Sequence, residues 1–369
     1  MAPAEVPGGF KIGNEYDNKT SFAGSKHDYF NFYAQSYRAI REIFPRVAIA
    51  PGEFTGLGVC PASSTQCVYD SSDLIGFARG AGTLPAYVPR SLHGILAKPA
   101  QTPSEAVQRA VDSYARIGSV ESEIHQFGLL GETFSSDLKL GSDQGARQAA
   151  WEFQVLFGLW ESLKPKRVFH WDTFFRLEGT DVALLNGTGF VRLVLDRYLG
   201  AAAFRMNSTS DSPRLADVKA IAFRTPERIA VVVSSFTSGM SEEPVDVTAR
   251  IPLQMLAKKI GADWRAIRLN NANSVFTEVR HDLEVDDNLK PEFSSCKTCV
   301  SQPTFMARDR VQARAVIVKN WAKYRDIMKS NLRWSKPGNI DSKVSGDDLV
   351  IRIRLAANEV AVLEQDVIK

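Results

Sequence analysis

Over the first 200 residues, short apolar runs alternate with longer amphipathic stretches. Residues 10–15 (FKIGNE) read as a strand ending on polar side chains. Residues 28–44 (DYFNFYAQSYRAIREIF) set Tyr29, Phe32, Tyr33, Tyr37, Ile40 and Phe44 along one broad face at helical spacing. Residues 47–50 (VAIA) predict a short buried strand bounded by Pro51-Gly52, and residues 72–79 a short helix opened by a Ser/Asp cap. A third strand is expected within residues 84–93, weakened by Pro85 and Pro89. A long helix then runs from Pro103 to Ile124, followed by a strand over 127–132, a helix over 145–163, a strand over 168–171 and a closing helix over 189–199.

The five strands end near residues 15, 52, 93, 132 and 171, a pitch of about 40 residues. A strand–helix unit at near-constant pitch means parallel strands joined by crossover helices, and a sheet covered on both faces explains strands that are apolar throughout. No G-x-G-x-x-G follows any strand, so a (β/α)8 TIM-barrel type is expected over a nucleotide-binding doubly wound sheet. After about residue 206 the texture changes. Residues 218–224, 228–236, 245–251 and 349–355 are β-rich, and 349–355 (LVIRIRL) alternates strictly, as a sandwich edge or a half-exposed strand should. The expected organisation is therefore α/β: a barrel domain over residues 1–205 and an all-β sandwich over 206–369, interrupted by a helix near 315–331.

The chain has 369 residues, 44% hydrophobic and 24% charged, with 45 Lys+Arg against 42 Asp+Glu. That excludes a disordered or fibrous chain, and a net charge of +3 is too small to make nucleic acid the expected partner. No apolar run approaches the roughly 20 residues of a membrane span. The first ten residues (MAPAEVPGGF) carry neither the basic nor the apolar region of a secretion signal. Four cysteines fall into two close pairs, Cys60/Cys67 and Cys296/Cys299. They fit two short disulfides in an oxidising compartment, and reduced thiols remain an alternative. A shared zinc site is disfavoured, because Cys60 and Cys67 are spaced too widely for a ligand pair. Sequons at Asn18, Asn186 and Asn207 lean the same way, towards an extracellular or secretory-pathway setting.

In a barrel the functional groups project from the C-terminal ends of strands. Those ends supply Asn14-Glu15, Glu53, Ser91 and His93, Glu132, and His170-Trp171-Asp172. Glu15 and Glu132 lie three repeats apart, so in a barrel of eight their carboxyl groups face one cleft. Two carboxyl groups flanking a bond are the equipment of a glycosidase: one protonated to donate to the leaving oxygen, the other ionised to attack the anomeric carbon. Trp171 suits the apolar face of a sugar ring, and Asn14 a sugar hydroxyl. Taken singly, each residue has a structural explanation: a solvated turn for Glu15, a cap for Glu132, a core ring for Trp171, satisfied histidines for His93 and His170. Their common phase on one repeat argues for chemistry. Glu123 is a rival to Glu132, but is expected on the solvent face of the helix before the strand.

The segment FKIGNEYD, with Asn14-Glu15, resembles the strand-four acid/base motif of the large (β/α)8 clan of retaining glycoside hydrolases. LLGETFSS, with Glu132, is similar to the clan's strand-seven nucleophile segment, and RVFHWDT, with Trp171, to its strand-eight tryptophan segment. LAANEVAVLE near the C-terminus is similar to the last strand of the appended β-sandwich. Family 39 (β-xylosidase and α-iduronidase type) is the nearest likeness, with family 79 β-glucuronidases as runner-up. The resemblance implies Glu15 as acid/base, Glu132 as nucleophile, Asn14 as a sugar-hydroxyl ligand and Trp171 as a subsite wall. It implies an oligosaccharide, polysaccharide or glycoconjugate substrate and neither metal nor organic cofactor. It also implies an N-terminal truncation, since the motif of the fourth strand arrives at residue 14 and only strands four to eight have counterparts. Tyr16 stands where the clan commonly has proline. A catalytically inactive carbohydrate-binding remnant is the non-enzymatic alternative.

Overall fold

The computed structural model describes residues 8–18, 21–54, 70–95, 102–118, 120–130, 145–170, 174–177, 179–211, 217–237, 243–256, 263–285, 310–338 and 340–366. Contacts group the chain into two compact units: Met1–His93, Glu105–Gly128 and Gly158–Trp171, and Gly94–Ser104, Leu129–Phe157 and Asp172–Lys369.

The first unit is built on β1 (Gly9–Asn14), α1 (Lys26–Ile43), β2 (Ala48–Glu53), α2 (Ser71–Gly80), β3 (Tyr87–Ile95), α3 (Pro103–Ala115), β4 (Glu121–Leu130) and β5 (Arg167–His170), whereas α4 (Ala146–Ser162) belongs to the second unit as far as Phe157. β1 pairs in parallel with β2, Phe54 bridges in parallel to Arg90 of β3, and β3, β4 and β5 form one sheet in which β4 and β5 are parallel. Capping boxes start the first two helices, Ser25 with Asp28 on α1 and Asp70 with Asp73 on α2, each satisfying two otherwise orphaned N–H groups. α1 buries Tyr29, Phe30, Tyr33 and Ala34, and the Tyr33 hydroxyl donates to the Thr83 carbonyl at 3.0 Å. Arg90 is wholly buried between helices, donating to Ser71 of α2 at 2.6 Å and to Ser113 of α3.

Three expectations are corrected here. β2 does not stop at Pro51-Gly52 but runs on to Glu53, Pro51 sitting opposite Ile12 in the ladder. The helix opened by Pro103 ends at Ala115, not Ile124, because Gly118 takes a left-handed φ of 73° and turns the chain into β4. Glu123, expected on a solvent-facing helix, is instead 1% exposed within β4, opposite Arg167 of β5.

The second unit adds a hairpin of β6 (Phe174–Arg176) and β7 (Ala183–Leu185), then α5 (Gly187–Asp196). Its strands continue as β8 (Ala202–Arg205), β9 (Asn207–Ser210), β10 (Asp217–Arg224), β11 (Arg228–Phe236) and β12 (Val245–Pro252). After α6 (Leu253–Leu256) come β13 (Arg265–Leu269), α7 (Val275–Val285), α8 (Arg310–Lys319) and α9 (Trp321–Asn331). β14 (Ile340–Ser345), β15 (Asp348–Leu355) and β16 (Glu359–Asp366) complete it. The strands form two antiparallel sheets, ordered β13-β16-β11-β10-β8 and β14-β15-β12-β9. Val231, Val233, Leu363 and Ala361 of one sheet meet Val247, Ala249, Ile351 and Ile353 of the other in a single apolar core. β15 is half exposed as its alternation predicts, with Arg352 and Arg354 outward, yet it lies between β14 and β12 rather than at the rim. β11 is buried at every position after Arg228. Gln154 of α4 donates to the Ser234 carbonyl of β11 at 3.2 Å and to the Asp217 carbonyl at 2.9 Å. The helix expected over 315–331 is two helices that break at Asn320. A smaller apolar cluster gathers Leu177 and Leu184 with Phe276, Val279, Ile317 and Tyr324. No described helix is long and apolar enough to cross a membrane.

Candidate active site

β1, β2 and β3 bring together a connected set of polar side chains around Glu53. Glu53, the last residue of β2, is 1% exposed, a costly position for a carboxylate unless it is paired. Lys11 of β1 places Nζ 3.0 Å from Glu53 Oε2, and the Ser91 hydroxyl of β3 donates to Glu53 Oε1 at 2.7 Å. Lys11 Nζ also donates to Asn14 Oδ1 at 3.2 Å. One ammonium thus serves both the buried carboxylate and the amide proposed from the sequence as a sugar ligand.

Glu15 follows directly. Its backbone is left-handed at φ 47°, unusual for a residue other than glycine and a signature of imposed local geometry. The constraint is visible: the Glu15 N–H donates to the Glu53 carbonyl at 2.7 Å, and the Glu15 carbonyl accepts from the Asn18 N–H at 3.0 Å. The half-buried carboxyl accepts a 3.4 Å hydrogen bond from the Ser21 hydroxyl. Burial, and then the neighbouring Glu53 charge, push its pKa above the usual glutamate value, against smaller opposing effects of Ser21 and Lys11.

The turn that carries Glu15 is packed by aromatic rings. Tyr16 stacks on Tyr29 of α1 with centroids 4.2 Å apart and planes 12° from parallel, and Phe22 meets the Tyr16 ring edge-on. Gly13, at φ 89°, has no room for a side chain, since a Cβ there would fall 1.5 Å from the Tyr16 ring. The Tyr29 hydroxyl accepts from the Gly52 N–H at 2.7 Å and donates to the Ile12 carbonyl at 3.2 Å, clamping β1 to β2 just below the two glutamates. Burial raises the Tyr29 pKa far enough that it stays a donor throughout the ordinary pH range. Tyr16, in the place where the clan commonly carries proline, is thus a packing residue.

The remaining expected residues divide. His170 ends β5 and its ring meets Phe127 of β4 edge-on at 5.4 Å. His93 lies on β3. Glu132, Trp171, Cys60, Cys67, Cys296 and Cys299 lie outside the described residues. Glu123 sits three residues into β4, far from its C-terminal end. It takes a 2.8 Å contact from His125 Nε2 and has Arg167 3.8 Å away, which makes it part of an ion-pair cluster inside the sheet. Asn186 is corrected as a glycan acceptor: it is 4% exposed, its Oδ1 caps α5 by accepting from the Gly189 N–H at 2.9 Å, and the sequon's Thr188 is wholly buried. Asn207 is exposed on β9, and Asn18 is half-buried in the turn after Glu15. A metal-like grouping of Glu278, His281 and Asp282 on α7 is already neutralised by Lys323, whose Nζ lies 3.0 Å from Glu278 and 2.9 Å from Asp282. The sequence placed Glu53 and Ser91 at strand ends, Lys11 within a strand and Tyr29 on a helix face, all without a role at the site.

No family model and no curated protein matches the chain. Solved structures do. The chain is similar to the GH39 enzyme from Xanthomonas axonopodis pv. citri at 11% identity and TM-score 0.61, over 98% of this chain and 68% of that one. It is similar to a family 51 α-L-arabinofuranosidase from Bifidobacterium longum at 9% identity and TM-score 0.52, over 96% and 67%. A β-porphyranase of glycoside hydrolase family 86 from Bacteroides plebeius matches at 13% identity and TM-score 0.51, over 99% and 57%. The fold is that of glycoside hydrolases: an α/β part followed by a β domain.

Proposed function

We propose that the chain is a glycosidase of the retaining, family 39-like type, the part of a (β/α)8 barrel from the fourth strand onward followed by a β-sandwich. Glu15 is its acid/base and Glu132 its nucleophile. The observation that carries this reading is Glu15 itself. Its carboxyl is half-buried at a strand's C-terminal end, beside a second, buried carboxylate, with its pKa raised in the direction a general acid needs. In the first step a carboxylate oxygen of Glu132 bonds to the anomeric carbon while the glycosidic C–O bond breaks, and the departing oxygen takes the proton of Glu15. In the second, the Glu15 carboxylate removes a proton from water, whose oxygen attacks the same carbon and frees Glu132. The mechanism calls for carboxyl groups about 5–5.5 Å apart. Asn14, exposed and fixed by Lys11, hydrogen-bonds a sugar hydroxyl, His93 and His170 border the subsite and Trp171 stacks on the ring. The substrate is an oligosaccharide, polysaccharide or glycoconjugate, and an extracellular or secretory-pathway setting fits it.

The test is hydrolysis of a panel of aryl glycosides, including β-xylosides, α-L-arabinofuranosides and β-glucuronides, by the full chain and by Glu132→Gln. Turnover that yields the retained anomer by proton NMR, and that vanishes in Glu132→Gln, supports the reading. Binding of sugars with no turnover overturns it in favour of a carbohydrate-binding remnant, and an inverted product overturns the mechanism.

A further inference from the structure

A pocket of about 570 Å³ opens within the second unit, lined by β13, the turn after it, the end of α9 and the corner between β15 and β16. Its lining sets three arginines, Arg268, Arg333 and Arg354, against one carboxylate, Glu359. Glu359 is fully buried and committed, accepting from Arg268 Nε and, at 2.7 Å, from the Ala356 N–H. Arg268 Nη2 donates to the Arg354 carbonyl at 2.7 Å, while Asn273 Nδ2 braces the Arg268 carbonyl at 2.9 Å. The Arg268 guanidinium is therefore a fixed floor, with Nη1 unused among the described residues. The other two cations are loosely held. Arg354 is 57% exposed and its nearest carboxylate, Asp246, is 3.8 Å away. Arg333 makes no ion pair among the described residues. Asn270 uses its Oδ1 to accept from the Ala272 N–H, and its amide donors have no partner among the described residues.

The surplus is smaller in two other cavities. One of about 450 Å³ balances Asp246 and Asp341 against Arg352 and the same Arg354. Another, of about 520 Å³ in the first unit, sets Lys164 and Lys166 against Glu121, with Lys166 paired to it at 2.7 Å. Uncommitted guanidinium groups grip planar or tetrahedral anions through paired N–H donors, and shed their hydration more readily than an ammonium does. A side-chain amide next to them suits a hydroxyl, the small apolar patch of Pro244 and Leu355 suits a ring face, and the volume suits one or two sugar rings.

We propose that this pocket is an auxiliary carbohydrate site for a sugar bearing an anionic group, a carboxylate or a sulfate ester. Arg333 and Arg354 hold the anion above the fixed Arg268, and Asn270 donates to a hydroxyl. The site requires no turnover, so it stands or falls independently of catalysis by Glu15. The experiment titrates the full chain with D-glucuronate, glucose 6-sulfate, glucose and inorganic sulfate at constant ionic strength, following arginine Nε–H signals by NMR. Glucuronate or glucose 6-sulfate should saturate, shifting Arg333 and Arg354. Affinity should fall at least about tenfold for glucose and inorganic sulfate, and by a similar factor in the Arg333→Ala/Arg354→Ala variant. Arg333→Gln alone disturbs no hydrogen bond within the fold and should weaken binding in the same direction. Three outcomes overturn the proposal: no saturation by either sugar anion, binding that survives both variants, or inorganic sulfate binding as tightly as the sugars.

Discussion

The carboxylates buried in the sandwich and those at the ends of β1 and β2 are treated differently. In the sandwich, Glu364 of β16 takes Arg265 Nε at 3.1 Å and the Tyr198 hydroxyl at 3.1 Å, and Glu359 takes Arg268 and a backbone N–H. Each of these acids is paired with a guanidinium group and, among the described residues, has no second acid among its hydrogen-bond and ion-pair partners. At the ends of β1 and β2, Glu53 faces a single ammonium shared with Asn14, and a second glutamate lies within reach of its charge. Guanidinium pairing neutralises a buried acid and braces strands. An acid pair with one shared cation leaves charge unbalanced, and one of its members becomes easier to protonate. The matched acids brace strands, and the acid left short of partners is the one that the proposed acid/base role needs.

Variants should separate the two arrangements. The largest effect is on turnover: Glu15→Gln should lower kcat/KM on glycosides with poor leaving groups by about 10²–10⁴-fold. Its stability should move the other way. The raised folded-state pKa of Glu15 means its contribution is favourable below the ordinary glutamate pKa and is lost as pH rises through the folded value. Removing that charge should therefore leave the neutral-pH unfolding midpoint unchanged or higher, as urea denaturation would show. Glu359→Gln should do the reverse, costing about 3 kcal/mol of stability by releasing Arg268. Tyr29→Phe should cost about 2 kcal/mol, because the Gly52 N–H and Ile12 carbonyl lose a buried partner. It should also reduce turnover, since the clamp sets the heights of Glu15 and Glu53. Lys323→Gln, which opens only an exposed ion-pair cluster, should cost at most about 1 kcal/mol. A stability loss in Glu15→Gln as large as in Glu359→Gln would erase the distinction.

Much of this arrangement was readable from the chain because parallel strands carry their functional groups at one end. The apolar runs before Glu15, Gly52 and His170 marked the strands. What was not readable depended on partners distant in sequence. Lys11 and Ser91 reach Glu53 only because the ladder sets Asn14 opposite Glu53 and Phe54 opposite Arg90. Local periodicity carried the helix after Pro103 too far, since apolar residues recur on both sides of Gly118, where the chain turns. β14 (IDSKVS) went unnoticed because most of its positions are exposed and it is held by pairing with β15 rather than by its own pattern. Asn186 looked like a surface sequon, and the same Asn-x-Thr pattern served as a helix cap.

Glu15 is hard to ionise first because it is half-buried and then because Glu53 lies beside it. Carbon-13 NMR titration of the glutamate carboxyls in the intact chain measures this without any substrate. The Glu15 midpoint should lie above that of an ordinary glutamate, and it should drop in Glu53→Gln, where the like charge is gone and Lys11 remains. A Glu15 that titrates at or below the ordinary value, or one indifferent to Glu53→Gln, would contradict the account.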